Sequence, residues 1–101
     1  MPTKSFREAV GGSTDAITYY DTDGGVFYFP NHRIKNAEYN PQEGTIRIIY
    51  GPEVVTISGT KLQDVFQSLI VKQMIDEVRV AQDPVSDSDP IVDSLEFGLV
   101  D

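Results

Sequence analysis

Residues 19–30 read YYDTDGGVFYFP, two aspartates and a glycine pair held between two aromatic runs. The stretch is either the start of a cation-binding loop or a tight turn between strands. A calcium loop of the helix–loop–helix type places oxygen ligands at alternate positions, a glycine at the sixth and a bidentate glutamate at the twelfth. Counted from Asp21, the third position is Asp23, but the fifth is Gly25, the sixth Val26 and the twelfth His32. The pattern fails at three places, and the residues after Gly25 are strand formers. Asp23-Gly24 between apolar runs is instead a hairpin signal, because glycine accepts the positive φ that such turns demand. Ala16–Tyr20 and Val26–Phe29 are therefore expected to be paired strands. Ile17 and Tyr19 share one face of the first, and the second is apolar on both faces, as in a central or doubly covered strand.

Downstream of Pro30-Asn31-His32, Arg33–Tyr39 reads as an irregular strand, and Asn40-Pro-Gln-Glu-Gly44 as a second turn. Ile46, Ile48 and Tyr50 then alternate with Arg47, and after Gly51-Pro52-Glu53 the pair Val55 and Ile57 marks another strand. Short strands joined by short turns at even spacing predict an antiparallel meander. The period changes at Thr60. Thr60 and Gln63 stand at the spacing of a capping box, and Leu62, Val65, Phe66, Leu69, Ile70 and Met74 form one helical stripe opposite Lys61, Asp64, Gln67, Ser68 and Lys72. Val71 points away from that stripe. Ile75–Val80 restores strand character. The fold class read from this order is α+β. It is a bent antiparallel meander sheet of about five strands, one amphipathic helix packed across it, and a final strand pairing at an edge. A partly closed barrel capped by the helix is the main variant.

With 101 residues the chain has the length of one domain with one core. The organisation expected is a flexible leader over 1–15, a globular unit over 16–82 and an acidic tail with apolar anchors over 83–101. The net charge of −8 is concentrated in that tail: residues 81–101 carry six acidic residues and no Lys or Arg, whereas residues 1–80 balance at −2. A basic footprint for phosphate contacts is missing and the tail repels anionic lipid, so neither nucleic acid nor membrane is an expected partner. No apolar run follows Met1–Arg7. The expected location is cytoplasmic.

The chain contains no cysteine and one histidine, His32. Thiolate metal sites, disulfides and cysteine nucleophiles are excluded, and carboxylates alone hold calcium or magnesium weakly. No Gly-x-Ser-x-Gly elbow or phosphate-binding glycine loop is present, and Ser58-Gly-Thr-Lys61 lacks the required order. No catalytic, cofactor-binding or metal residue is assigned. Candidate partner or ligand contacts are Arg33, Lys35 and Arg47, the one basic patch on the body, together with Tyr19, Tyr28 and Tyr50 on the aromatic strands and Leu95 and Phe97 in the tail. The aromatics are too numerous for one side of a small sheet, so some are expected to cover a second face, a subunit or a ligand. These features point to a noncatalytic interaction or assembly module, a homo-oligomer or partner-binding protein that associates through its sheet face or acidic tail. The alternative is a small-ligand or peptide-binding barrel with a tyrosine-rich wall.

Overall fold

In the computed structural model, which describes residues 5–80 and 90–100, the strands are β1 (Phe6–Glu8), β2 (Ala16–Tyr20), β3 (Val26–Pro30), β4 (Asn36–Asn40), β5 (Thr45–Ile49), β6 (Glu53–Thr60), β7 (Ile75–Arg79) and β8 (Ile91–Leu99). The fold is α+β, rich in antiparallel pairs. The strands form two sheets, ordered β1-β7-β2-β3 and β4-β5-β6-β8.

The hairpin read from YYDTDGGVFYFP is β2–β3, with Tyr20 opposite Val26 and Ala16 opposite Pro30. Its loop closes through the Asp21 N–H on the Gly25 carbonyl (2.9 Å) and the Gly24 N–H on the Asp21 carbonyl (3.2 Å). Gly24 takes φ 92°. A turn followed by a left-handed glycine is a favoured three-residue hairpin connection, because it preserves the strands' right-handed twist. The aspartates serve the turn: Asp21 Oδ1 accepts from the Thr22 N–H and Asp23 Oδ1 from the Gly25 N–H.

The meander also forms. β4 pairs with β5, and β5 with β6, both antiparallel. Asn40 Oδ1 accepts from the N–H groups of Gln42 and Glu43, and Gly44 (φ 67°) closes that turn. Ile46 and Ile48 are buried on the face read from their alternation while Arg47 faces solvent.

The sequence predicts a single meander sheet, and two sheets are found; among the described residues no closed barrel exists. The division falls at the 3-10 turn Asn31–Arg33, which redirects the chain after Pro30 and starts the second sheet at Asn36. Asn31 anchors this corner, its N–H on the Asp15 carbonyl (2.7 Å) and its Nδ2 on the Thr14 carbonyl (2.9 Å). Strand β7 does not lie at an edge. It sits between β1 and β2, antiparallel to one and parallel to the other. The chain between β2 and β7, which passes through the second sheet and the helix, is the long crossover that a parallel pair requires, and Phe6–Glu8, within the stretch read as a leader, supplies the outer neighbour.

The stretch read as an acidic tail contributes β8, which runs antiparallel to β6 along its whole length. Residues 81–89 lie outside the described residues. The ladder shifts register at Ser58/Gly59, and there the two backbones come very close: a Cβ built on Gly59 would lie 1.9 Å from the Ile91 carbonyl oxygen.

The helix is shorter and less regular than its stripe suggests. Helix α1 covers Gln63–Phe66 and continues as a π turn over Gln67–Val71, where the Lys72 N–H reaches the Gln67 carbonyl. The capping box does not form. Thr60 is the last residue of β6, opposite Ile91, and Lys61 turns the chain with φ 58°. The apolar stripe nevertheless faces inward: Leu62, Val65 and Leu69 are buried, Phe66 and Ile70 pack on the core, and Val71 is exposed. One core is shared by both sheets and the helix, through Ile17, Tyr19 and Val78 of the first sheet and Ile46, Ile48, Val55, Ile57 and Val92 of the second. No helix of the described residues is long and apolar enough to cross a membrane.

Candidate functional site

The residues singled out from the sequence are dispersed. Arg33 donates to Glu53 Oε2 at 2.8 Å and lies over the Phe29 ring, 5.7 Å from its centroid. Arg47 faces Glu38 across β4–β5 at 3.6 Å. Lys35 is exposed beside Gly51, near the Arg33 guanidinium. Two of the three cations are thus matched by glutamates, and the patch is close to neutral. Exposed pairs of this kind contribute about 0–1 kcal/mol each.

The tyrosines divide between core and surface. Tyr19 and Tyr50 are buried, with their hydroxyl oxygens 2.6 Å apart. Phe29 stacks on Tyr50 and Phe97 meets Tyr19 edge-on, so these rings join the sheets and form no open wall. Tyr28 is 66% exposed. In β8, Leu95 is buried in the chain's own core and Phe97 stacks on Phe27 at 4.0 Å.

Among the described residues the groups suited to catalysis or metal binding are scattered. His32 is exposed in the 3-10 turn. No three His, Asp or Glu residues among those described converge closely enough to hold a metal ion. A charged cluster lies along β1 and β7, where Arg7 bonds Asp76 bidentately (2.8 and 3.0 Å) and also pairs with Glu77. Arg79 binds Glu77 from the other side and lies over the Tyr20 ring at 4.4 Å. The guanidinium of Arg7 holds the Asp76 carboxyl below its usual range, chiefly by hydrogen bonding. Every charge in this cluster has a partner of opposite sign. Beside it runs a groove of about 640 Å³ reaching Asp64 of α1 and Ser68 of the π turn, and among the described residues no hydrogen-bonded nucleophile–base pair lines it.

The surface feature that the sequence reading misses is the outer edge of β3. Val26–Phe29 reads as a central or doubly covered strand, yet among the described residues β3 ends the first sheet and has β2 as its one neighbour. Val26, Phe27 and Tyr28 are 59%, 37% and 66% exposed. Pro30 is the available signal, since proline in a sheet is confined to edges and strand ends. The other three edge strands each carry charge: Arg7 and Glu8 on β1, Glu38 on β4, Asp93 and Glu96 on β8. β3 has none. Charged residues are a common protection of an open edge against pairing with another chain, and β3 alone lacks it. Compared with known protein families, with curated proteins and with solved structures, the chain has no significant match.

Proposed function

We propose that this protein is a noncatalytic assembly module that associates with itself, and that the open edge of its first sheet supplies the contact. The observation that supports this reading is the uninterrupted apolar run Val26-Phe27-Tyr28 on an edge strand without charge. Exposed apolar residues in a row, with unpaired backbone donors and acceptors beside them, are a template for strand addition. The acidic segment is the less favoured contact, because its anchors Val92 and Leu95 are consumed in the chain's own core. A ligand barrel is less favoured because the Tyr19 and Tyr50 hydroxyls satisfy each other.

The test is light scattering on the full chain over a wide concentration range. A mass that rises from one chain to a defined multiple supports the reading. A single-chain mass at every concentration up to the millimolar range ends it. Truncation before β8 is no substitute, since it strips β6 of one of its two antiparallel neighbours and the core of Val92 and Leu95.

A further inference from the structure

We infer that the partner of β3 is β3 of a second copy, antiparallel and centred on Tyr28, so that two four-stranded sheets join into one of eight. This rests on the self-association reading above and adds the edge, the direction and the register.

The direction in which each backbone group points sets the register. On β3 the ladder to β2 is bracketed by the Asp21 N–H on the Gly25 carbonyl and the Asn31 N–H on the Asp15 carbonyl. Antiparallel ladders alternate between hydrogen-bonded and non-bonded pairs. The odd-numbered residues Phe27 and Phe29 therefore bond to β2, and the peptide groups of Val26, Tyr28 and Pro30 face outward. With Tyr28 opposite its own copy, the two residues exchange both bonds, and each Val26 N–H meets the Pro30 carbonyl of the other copy. Pro30 accepts there but has no N–H to return, so each outer Val26 carbonyl stays open to water and the contact ends at that pair. The arrangement is two-fold symmetric, as an isologous contact requires.

Side chains and charge agree with it. Directly opposed residues are Tyr28 with Tyr28, Val26 with Pro30 and Phe27 with Phe29, all apolar or aromatic. The strand begins beside exposed Asp23 and the half-buried Asp21, and ends near exposed Lys35, the cation of that end which Glu53 does not already match as it does Arg33. An antiparallel copy sets the acidic end of one strand against the basic end of the other. A parallel copy would set like against like.

The chain's freedom from cysteine makes the test direct. Residues opposite each other in a bonded antiparallel pair have Cα atoms about 5.5 Å apart, inside the span of a disulfide. On mild oxidation the full-length Tyr28→Cys variant is expected to become mostly covalent dimer, whereas Val71→Cys, exposed on the π turn, gives only traces. Tyr28→Pro, which removes an outward N–H without touching the β2 ladder, is expected to keep the folded circular-dichroism spectrum and scatter as a monomer. The wild type should scatter at twice the 11.2 kDa chain mass. If the wild type is a dimer but the Tyr28→Cys variant crosslinks no faster than Val71→Cys, this register is overturned and self-association still stands. A wild-type monomer overturns both.

Discussion

The hydroxyl oxygens of Tyr19 and Tyr50 lie 2.6 Å apart inside the core, one on β2 of the first sheet and the other just past β5 of the second. This buried polar contact helps tie the two sheets together in apolar surroundings. Removing one hydroxyl leaves the other buried without its partner, at a cost of about 1–3 kcal/mol, whereas removing both is far cheaper. Tyr19→Phe and Tyr50→Phe are each expected to lower stability by that amount, and the double variant by less than either. Urea unfolding of the four proteins measures this, and additive losses would show that the hydroxyls act independently.

The same pair predicts sensitivity to alkali. Burial pushes the Tyr50 hydroxyl up from 10.0 to about 12, and burial pushes Tyr19 well above its ordinary value too. A phenol raised in the folded state contributes stability that is complete below its unfolded value and is lost as pH rises. Stability is therefore expected to hold up to about pH 10 and to fall from there through about pH 12, by roughly 1.4 kcal/mol for each pH unit that separates a phenol's folded value from its unfolded one. The double phenylalanine variant should lose this dependence, which denaturation at several alkaline pH values will reveal.

Gly59 and Gly24 are predicted to differ sharply in tolerance. Alanine at 59 places a methyl group 1.9 Å from the Ile91 carbonyl oxygen, so β6 and β8 must separate. We expect a loss of more than about 3 kcal/mol, in the range of severe core lesions. Alanine at 24 meets nothing within 4 Å and suffers only the strain of φ 92°, about 1 kcal/mol. Thermal melts of the two variants separate them. Similar losses would mean that the β6–β8 approach is not close.

The start of the helix yields a prediction opposite to the one its sequence suggests. A true capping threonine loses about 0.5–2 kcal/mol on change to alanine. Thr60 ends β6 and caps nothing, so Thr60→Ala is expected within about 0.5 kcal/mol of the wild type. Lys61 holds φ 58°, so Lys61→Gly should stabilise by up to about 1 kcal/mol through relief of strain. Chemical denaturation of both variants checks the pair of signs.

Asp76 is expected to titrate below an ordinary aspartate because Arg7 donates two hydrogen bonds to its carboxylate. A carboxyl depressed in the folded state contributes stability above its unfolded value and loses it as pH falls through the folded one. Arg7→Gln should return the Asp76 titration, followed by carboxyl-carbon NMR, toward the normal range. No change would mean that another group holds the carboxylate.

Much of the architecture is legible locally. Asp23-Gly24 specifies the β2–β3 loop, Ile46 and Ile48 alternating with Arg47 specify a half-buried strand, and Leu62, Val65 and Leu69 mark the buried side of the helical segment. Each is a relation between residues a few positions apart, where chain geometry alone decides which side chains share a face. Other features are legible only as residue types. Tyr19, Tyr28 and Tyr50 stand out together in the sequence, yet two meet in the core and one faces solvent.

What the tertiary structure decided is which strands share a sheet, where the sheets end, and which polar groups find each other. The insertion of β7 between β1 and β2 joins Phe6 to Val78, residues far apart along the chain. The contact of Gly59 with Ile91 depends on a register shift across β6–β8, and the openness of β3 follows from every other strand having taken its place. Sequence determined the local periodicities, because side-chain direction repeats every two or 3.6 residues along the backbone. Pairing partners and edges were settled by long-range packing of all the apolar faces at once, a property that no short stretch carries.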